Sequence, residues 1–279
     1  DIVIGTGGYI CGATIWEANK LKIPTMLHES NAFPGKAVKM LAKKTNTIMV
    51  SFEDAIPRID SKNKIVCTGT PVKNQKRDYT IEEKNEIIKK AGLKSGKPIV
   101  LIFGGSQGAQ KINEAIVEII KQKENKEYQI MWATGPKQYD IVKEKLEENR
   151  ISINNVKNAK IVPYIYNMEE MINISDLIVA RSGAMTITEI SNLGKPSILI
   201  PLPNVSHNHQ LYNAQVLEKI GAAKIILDNE LKGEILQKTI MQILQGNTAK
   251  TMGKNALKAE TKDAEDRIYS EIVQLVRKE

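Results

Sequence analysis

Aromatic residues make up only 5% of this 279-residue chain, too few for the stacking platforms that single-stranded nucleic acid requires. Two cysteines, Cys11 and Cys67, cannot set up a disulfide framework, and the cytosol is the default compartment. Adding the three histidines, His28, His207 and His209, produces no zinc-ligand spacing. His207 and His209 alternate in a loop ahead of a helix and read as polar surface. No apolar stretch approaches the roughly 18 residues of a membrane-spanning helix. The GxGxxG dinucleotide fingerprint is also missing, so a nicotinamide cofactor is not indicated.

What is present is ordinary for a globular protein: 42% hydrophobic and 26% charged residues, in a length that suits two cores. The formal charge of +8 suits an anionic partner. Nucleic acid, a phosphorylated substrate and an anionic bilayer all qualify, and lysines spread along the whole chain do not choose among them. Apolar runs predict strands at 1–5, 24–28, 47–50, 64–67, 98–103, 129–133, 160–164, 176–180, 197–201 and 224–227. Helical stretches fill the gaps, among them 11–21 and 35–44. Near-continuous apolar strands alternating with helices imply parallel sheets covered on both faces. The Gly69-Thr70-Pro71 break separates a first domain, 1–72, from a second, 73–254, and a closing segment, 255–279, is expected to pack back on the first. The first domain holds few strands and opens inside one, so it is expected to be incomplete at its N-terminal side. Two doubly wound domains place ligands in a cleft at the carboxyl ends of their strands.

The stretch 176–189 (DLIVARSGAMTITE) carries the most chemistry. An apolar run stops at Arg181-Ser182-Gly183 and a helical run opens at Ala184. The first amides of such a helix lack intrahelical partners and favour an anion. Glu189, in or near the first turn, offers a carboxylate to a sugar diol. Residues 186–189 equally fit a capping box, in which Thr and Glu only satisfy backbone donors. A second turn, Gly104-Gly105-Ser106-Gln107-Gly108-Ala109, follows a strand and precedes a helix, with the Ser106 hydroxyl at its mouth; it reads as a ligand loop or as a plain strand–helix turn. A third, 5–9 (GTGGY), also follows a strand. His28-Glu29-Ser30-Asn31 closes the next one; His28 either moves a proton, oriented by Glu29 or Asn31, or is structural. Gln210 and Asn213 share a helix edge that reads as solvated unless a ligand meets it.

These motifs, in the order GTGGY (5–9), HESN (28–31), TGTPV (68–72), GGSQGA (104–109), RSGAMTITE (181–189) and HQLYNA (209–214), resemble the MurG family over essentially the whole chain. The resemblance implies two Rossmann-like α/β domains of the GT-B glycosyltransferase type. It implies transfer of N-acetylglucosamine from UDP-N-acetylglucosamine to the C4 hydroxyl of lipid I, giving lipid II for peptidoglycan by one inverting displacement. Ser106 and the backbone of Ala184, Met185, Thr186, Ile187 and Thr188 would hold the diphosphate. Glu189 would take the ribose, Ile165 the uracil and Gln210 the donor sugar. Asn31 would reach N-acetylglucosamine across the cleft, with Arg181 a charge partner and His28, or Glu29, in the catalytic role. No DxD-type acidic pair marks a metal site, and no cofactor is expected. Lys73 stands where the family has arginine, losing the planar fork that grips a diphosphate. The family's GGTGGH loop, with its histidine, is not in the sequence, so binding of the donor without turnover is one alternative. Another UDP-sugar transferase or an epimerase with a soluble acceptor is the other. The lipid acceptor implies a peripheral place on the cytoplasmic face of the membrane, with no nucleic acid partner. Lys36, Lys39 and Lys43 share one face of the 35–44 helix, with Lys44 beside them, and either meet anionic lipid or are solvated.

Overall fold

The computed structural model describes residues 1–73, 76–105 and 107–277. Two parallel sheets form. The first runs β1 (Val3–Gly5), β2 (Thr25–Glu29), β3 (Thr47–Val50) and β4 (Lys64–Cys67) in simple order. Helix α1 (Gly8–Lys20) joins β1 to β2, and the short α2 (Lys36–Leu41) joins β2 to β3.

The second sheet has six strands: β5 (Ile99–Phe103), β6 (Gln129–Ala133), β7 (Ala159–Val162), β8 (Leu177–Ala180), β9 (Ser197–Leu199) and β10 (Ala223–Ile225). Their spatial order is β10-β9-β8-β5-β6-β7, so the winding reverses between β5 and β8. The helices are α3 (Ile81–Lys90), α4 (Gln110–Lys121), α5 (Tyr139–Glu147), α6 (Met168–Ile174), α7 (Ala184–Asn192), α8 (His209–Lys219), α9 (Gly233–Leu244), α10 (Thr248–Ala256) and α11 (Ala264–Val276). All five residues of β5 (IVLIF) are buried, as a strand covered on both faces requires. Helix α4 buries Ile112, Ala115, Ile116, Ile119 and Ile120, the stripe of an amphipathic helix, against that sheet's core. At α3 the Thr80–Glu83 capping box is complete. After α10 the chain crosses back, and α11 lies against β3 with Glu271 paired to Lys64 of β4.

Several elements differ from the sequence expectation. Helix α1 begins at Gly8, inside the glycine-rich turn, with Gly7 (φ 98) as its cap. The helix expected over 35–44 spans only Lys36–Leu41, because Thr45 bonds back to the Leu41 carbonyl through both its N–H and its hydroxyl and closes the turn. The closing segment is not one helix: α10 and α11 are separated by the crossing at 257–263. The two units also share apolar contact, since Ala32 and Phe52 pack into the same cluster as Phe103, Ile187 and Ala214.

Candidate active site

Strands β5 and β8 are hydrogen-bonded neighbours, with Phe103 opposite Ala180. The turns that leave them, 104–109 and 181–183, therefore emerge side by side at the switch point, where open α/β sheets bind ligands. Gly108 has φ +77, and a Cβ there would lie 2.4 Å from the Thr134 carbonyl oxygen, so only glycine lets this turn close on its neighbour. Helices α4 and α7 begin at these turns, and neither has a side-chain cap. Between them lies a cavity of about 530 Å³, lined by Gly104, Gly105, Lys111, Arg181, Thr186 and Gln210 among others.

Helix α7 starts at Ala184 with Gly183 as its extended N-cap, which excludes the 186–189 capping box: both residues are helical. The amides of Ala184, Met185 and Thr186 are the unpaired ones. The Ile187 amide already donates to the Gly183 carbonyl at 3.0 Å. The Ile187 side chain is core, and the Thr188 hydroxyl donates to the Ala184 carbonyl at 3.0 Å. The expected anion-binding backbone of 184–188 therefore shrinks to 184–186. Glu189 sits in the second turn, not the first, and burial raises its carboxyl pKa above the ordinary 4.5.

Arg181 is braced rather than loose. Its Nη1 donates to the carbonyls of Ile200 (3.2 Å) and Pro201 (3.4 Å). The same nitrogen lies 2.5 Å from Asp228 Oδ1, an ion contact off the line of a hydrogen bond, and Nε is buried without a hydrogen-bond partner among the described residues. The Gln210 Oε1 accepts from the Leu202 N–H at 2.9 Å, and the Ser182 hydroxyl donates to the Gln210 carbonyl at 2.8 Å. Ile165 follows β7 with its side chain in the core. Lys73 is exposed and lines neither this cavity nor the one across the cleft. Ser106 lies outside the described residues.

That second cavity, about 870 Å³, is lined by Gly7, Gly8, Trp16, Glu29, Asn31 and Lys36 of the first unit and by His209 of the second. Glu29 shapes its wall: Oε1 accepts from the N–H (2.9 Å) and Nδ2 (3.0 Å) of Asn31, and Oε2 accepts from the Gly35 N–H at 2.7 Å. His28 does not line it. The ring is 7% exposed, with Nε2 donating to the Gly69 carbonyl at 2.8 Å and Nδ1 facing the Ser30 hydroxyl at 3.5 Å. A carbonyl only accepts, so Nε2 carries the hydrogen. The histidine that the sequence offers for proton transfer is turned to the backbone.

Sequence reasoning missed the contacts between the units. Asn213, on an edge read as solvated, is 0% exposed. Its Nδ2 donates to Asn31 Oδ1 (3.0 Å) and the Ser182 carbonyl (3.1 Å), and its Oδ1 accepts from the Ala32 N–H (2.8 Å). Phe33 stacks on Tyr212 (4.7 Å) and on His207 (5.5 Å), so that histidine is not simply polar surface. Lys219 pairs with Asp54 at 2.5 Å. One signal was available: Asn213 falls on the buried stripe of α8 with Ala214, Val216 and Leu217.

A model of the glycosyltransferase family 28 C-terminal domain matches residues 99–268, and one of the N-terminal domain of that family matches 1–50. A UDP-N-acetylglucosamine--N-acetylmuramyl-(pentapeptide) pyrophosphoryl-undecaprenol N-acetylglucosamine transferase of Desulforamulus reducens is 43% identical over 279 residues, covering 100% of this chain and 73% of its own. A transferase of the same name from Thermoanaerobacter sp. (strain X514) is 43% identical over 270 residues, 96% of this chain and 72% of its own. The crystal structure of Acinetobacter baumannii MurG matches with a TM-score of 0.78 at 25% identity, covering 100% of this chain and 74% of that one. A putative UDP-N-acetylglucosamine 2-epimerase from Listeria monocytogenes (TM-score 0.71, 16% identity, 100% and 75% covered) shares the fold alone. The architecture is therefore that of a GT-B glycosyltransferase, two parallel-sheet units across a cleft. The chain belongs to glycosyltransferase family 28 and, within it, to the MurG family.

Proposed function

We propose that this chain transfers N-acetylglucosamine from UDP-N-acetylglucosamine to lipid I, the undecaprenyl-diphospho-N-acetylmuramyl peptide, forming lipid II for peptidoglycan. The observation that carries the reading is the pair of uncapped helix N-termini meeting at the β5/β8 switch point. In this reading the diphosphate sits on the amides of 184–186, whose partial positive charge stabilises the charge that grows on departing UDP. Glu189 accepts from the ribose hydroxyls, Gln210 meets the donor sugar, and the main chain at Ile165 meets the uracil. The acceptor approaches from the 870 Å³ cavity, where Glu29 holds Asn31 in place. Its C4 hydroxyl oxygen bonds to the anomeric carbon as the carbon–oxygen bond to UDP breaks and the hydroxyl proton passes to solvent, and this single displacement inverts the configuration. Calorimetry with UDP-N-acetylglucosamine, paired with turnover of a lipid I analogue, tests this. Binding that disappears when the 184–186 turn is altered supports it, and a chain that takes up no donor overturns it.

The acceptor's lipid also places the enzyme on the cytoplasmic face of the membrane in this reading. Among the described residues no helix is long and apolar enough to cross a membrane. The basic face is narrower than the sequence suggests: Val38 and Leu41 are core, and Lys43 pairs with Asp60 at 2.7 Å. Lys36, Met40 at 78% exposure, Lys43 with its exposed partner Asp60, and Lys44, whose Nζ sits 3.6 Å over the Trp16 ring, all stand outward. Lys39 adds its charge 3.9 Å over Phe33. At about 1 kcal/mol per lysine, neutralising Lys36, Lys39 and Lys44 to glutamine is expected to weaken binding to anionic vesicles roughly 100-fold. Unchanged co-sedimentation would remove the membrane assignment from this face.

A further inference from the structure

Two segments pass between the sheets: 68–72 leaving β4, and 257–263 returning to α11. They touch at Gly69 and Thr261. Gly69 has φ +79, and a Cβ built there would lie 2.2 Å from Thr261 Cγ2, so the crossing admits glycine alone. Side chains tie the outgoing segment to the carboxyl edge of the first sheet. The Gly69 carbonyl accepts from His28 Nε2 at 2.8 Å and from the Thr68 hydroxyl at 3.1 Å. One residue on, the Thr70 hydroxyl bonds to Ser51 Oγ, which donates onward to the Glu29 carbonyl at 3.2 Å. Thr68, Thr70 and Ser51 are all buried. The end of β2 thus does two jobs through adjacent residues. His28 holds the crossing, and Glu29 shapes the 30–35 loop that lines the acceptor-side cavity and meets Asn213.

We propose that His28 is a positioning residue: its bond to the Gly69 carbonyl fixes the pivot between the two sheets, and with it the placing of the 30–35 loop against the donor turn. Its catalytic consequence rests on the function proposed above; its mechanical consequence does not. Hydrogen exchange at the amides of 68–70, 72 and 258–263 is the direct test. In His28→Ala, exchange there is expected to rise about tenfold, the loss of one buried hydrogen bond, with the α4 and α7 amides unaffected. His28→Gln, whose amide N–H can retake the carbonyl, is expected to restore most of the protection. UDP-N-acetylglucosamine affinity stays within about twofold, while kcat on a lipid I analogue falls, by up to about 100-fold for a displacement near 1 Å. The pH profile of the glutamine variant keeps the parent's shape. Should His28→Ala fail to fold, His28→Phe, which keeps the ring shape and lacks the N–H, takes its place with the same expected result. Parent-like exchange in the alanine and phenylalanine variants overturns the proposal. So does a glutamine variant that loses turnover and its acidic limb while its crossing stays protected, because His28 then acts in the chemistry. A parent chain that binds no donor would remove the proposed function and leave the exchange result standing.

Discussion

Replacing Glu189 with alanine is expected to weaken UDP-N-acetylglucosamine binding by about 10- to 100-fold, the 1.5–3 kcal/mol typical of hydrogen bonds to a charged group. The carboxylate is partly buried in the second turn of α7, behind the unpaired amides of 184–186, and burial raises its pKa. A diol donates to the ionised form, so donor affinity should fall as pH drops toward that raised pKa. Glu189→Gln should flatten the dependence, because both donor phosphates stay ionised across the range. Stability moves the other way. Between 4.5 and the raised value, the folded chain holds a proton that the unfolded chain has released, so the contribution of Glu189 to stability falls as pH rises through that window. Calorimetry and thermal melts over the same pH series check both slopes. Parallel slopes, or an unaffected alanine variant, would take Glu189 out of the donor site.

Asn213→Ala is expected to cost roughly 3 kcal/mol, because it leaves the Ala32 N–H, the Ser182 carbonyl and the Asn31 side chain without their buried partner. For a chain of this size that lowers the melting temperature by about 6–12 °C. Asn213→Asp should cost at least as much as alanine near neutral pH, since its carboxylate still accepts from the Ala32 N–H but is buried, without a counter-charge, against the Ser182 carbonyl and Asn31 Oδ1. A melting point within one degree of the parent would mean that the bond set at Asn213 contributes little to holding the units together.

The sheets were legible because each central strand is a short, continuous apolar run between turn residues, as in IVLIF for β5. The glycine-rich turns after β5 and β8 were legible for a related reason: glycine where backbones must approach closely is a local requirement written locally. Side chains with distant partners were not legible. Asn213 meets Asn31 across 182 residues of chain, and His28 meets Gly69 across 41. Nothing near Arg181 in the sequence announces Asp228 as its counter-charge. Likewise, the strong helix formers of 35–44 propose a longer helix than Thr45 allows. Family likeness supplied roles for residues, and packing then decided which of their atoms are available: the amides of 184–186 but not those of 187 and 188.

The pairing of β5 with β8 places Phe103 opposite Ala180, one residue before each of the two turns. Slipping β8 by a single position would swing Arg181 to the opposite face of the sheet and withdraw the α7 amides by about 3.3 Å. Accuracy at this centre is thus inherited from main-chain rungs. Drift of side-chain identity along the rims is tolerable, whereas one inserted or deleted residue in either of these two strands would abolish the centre.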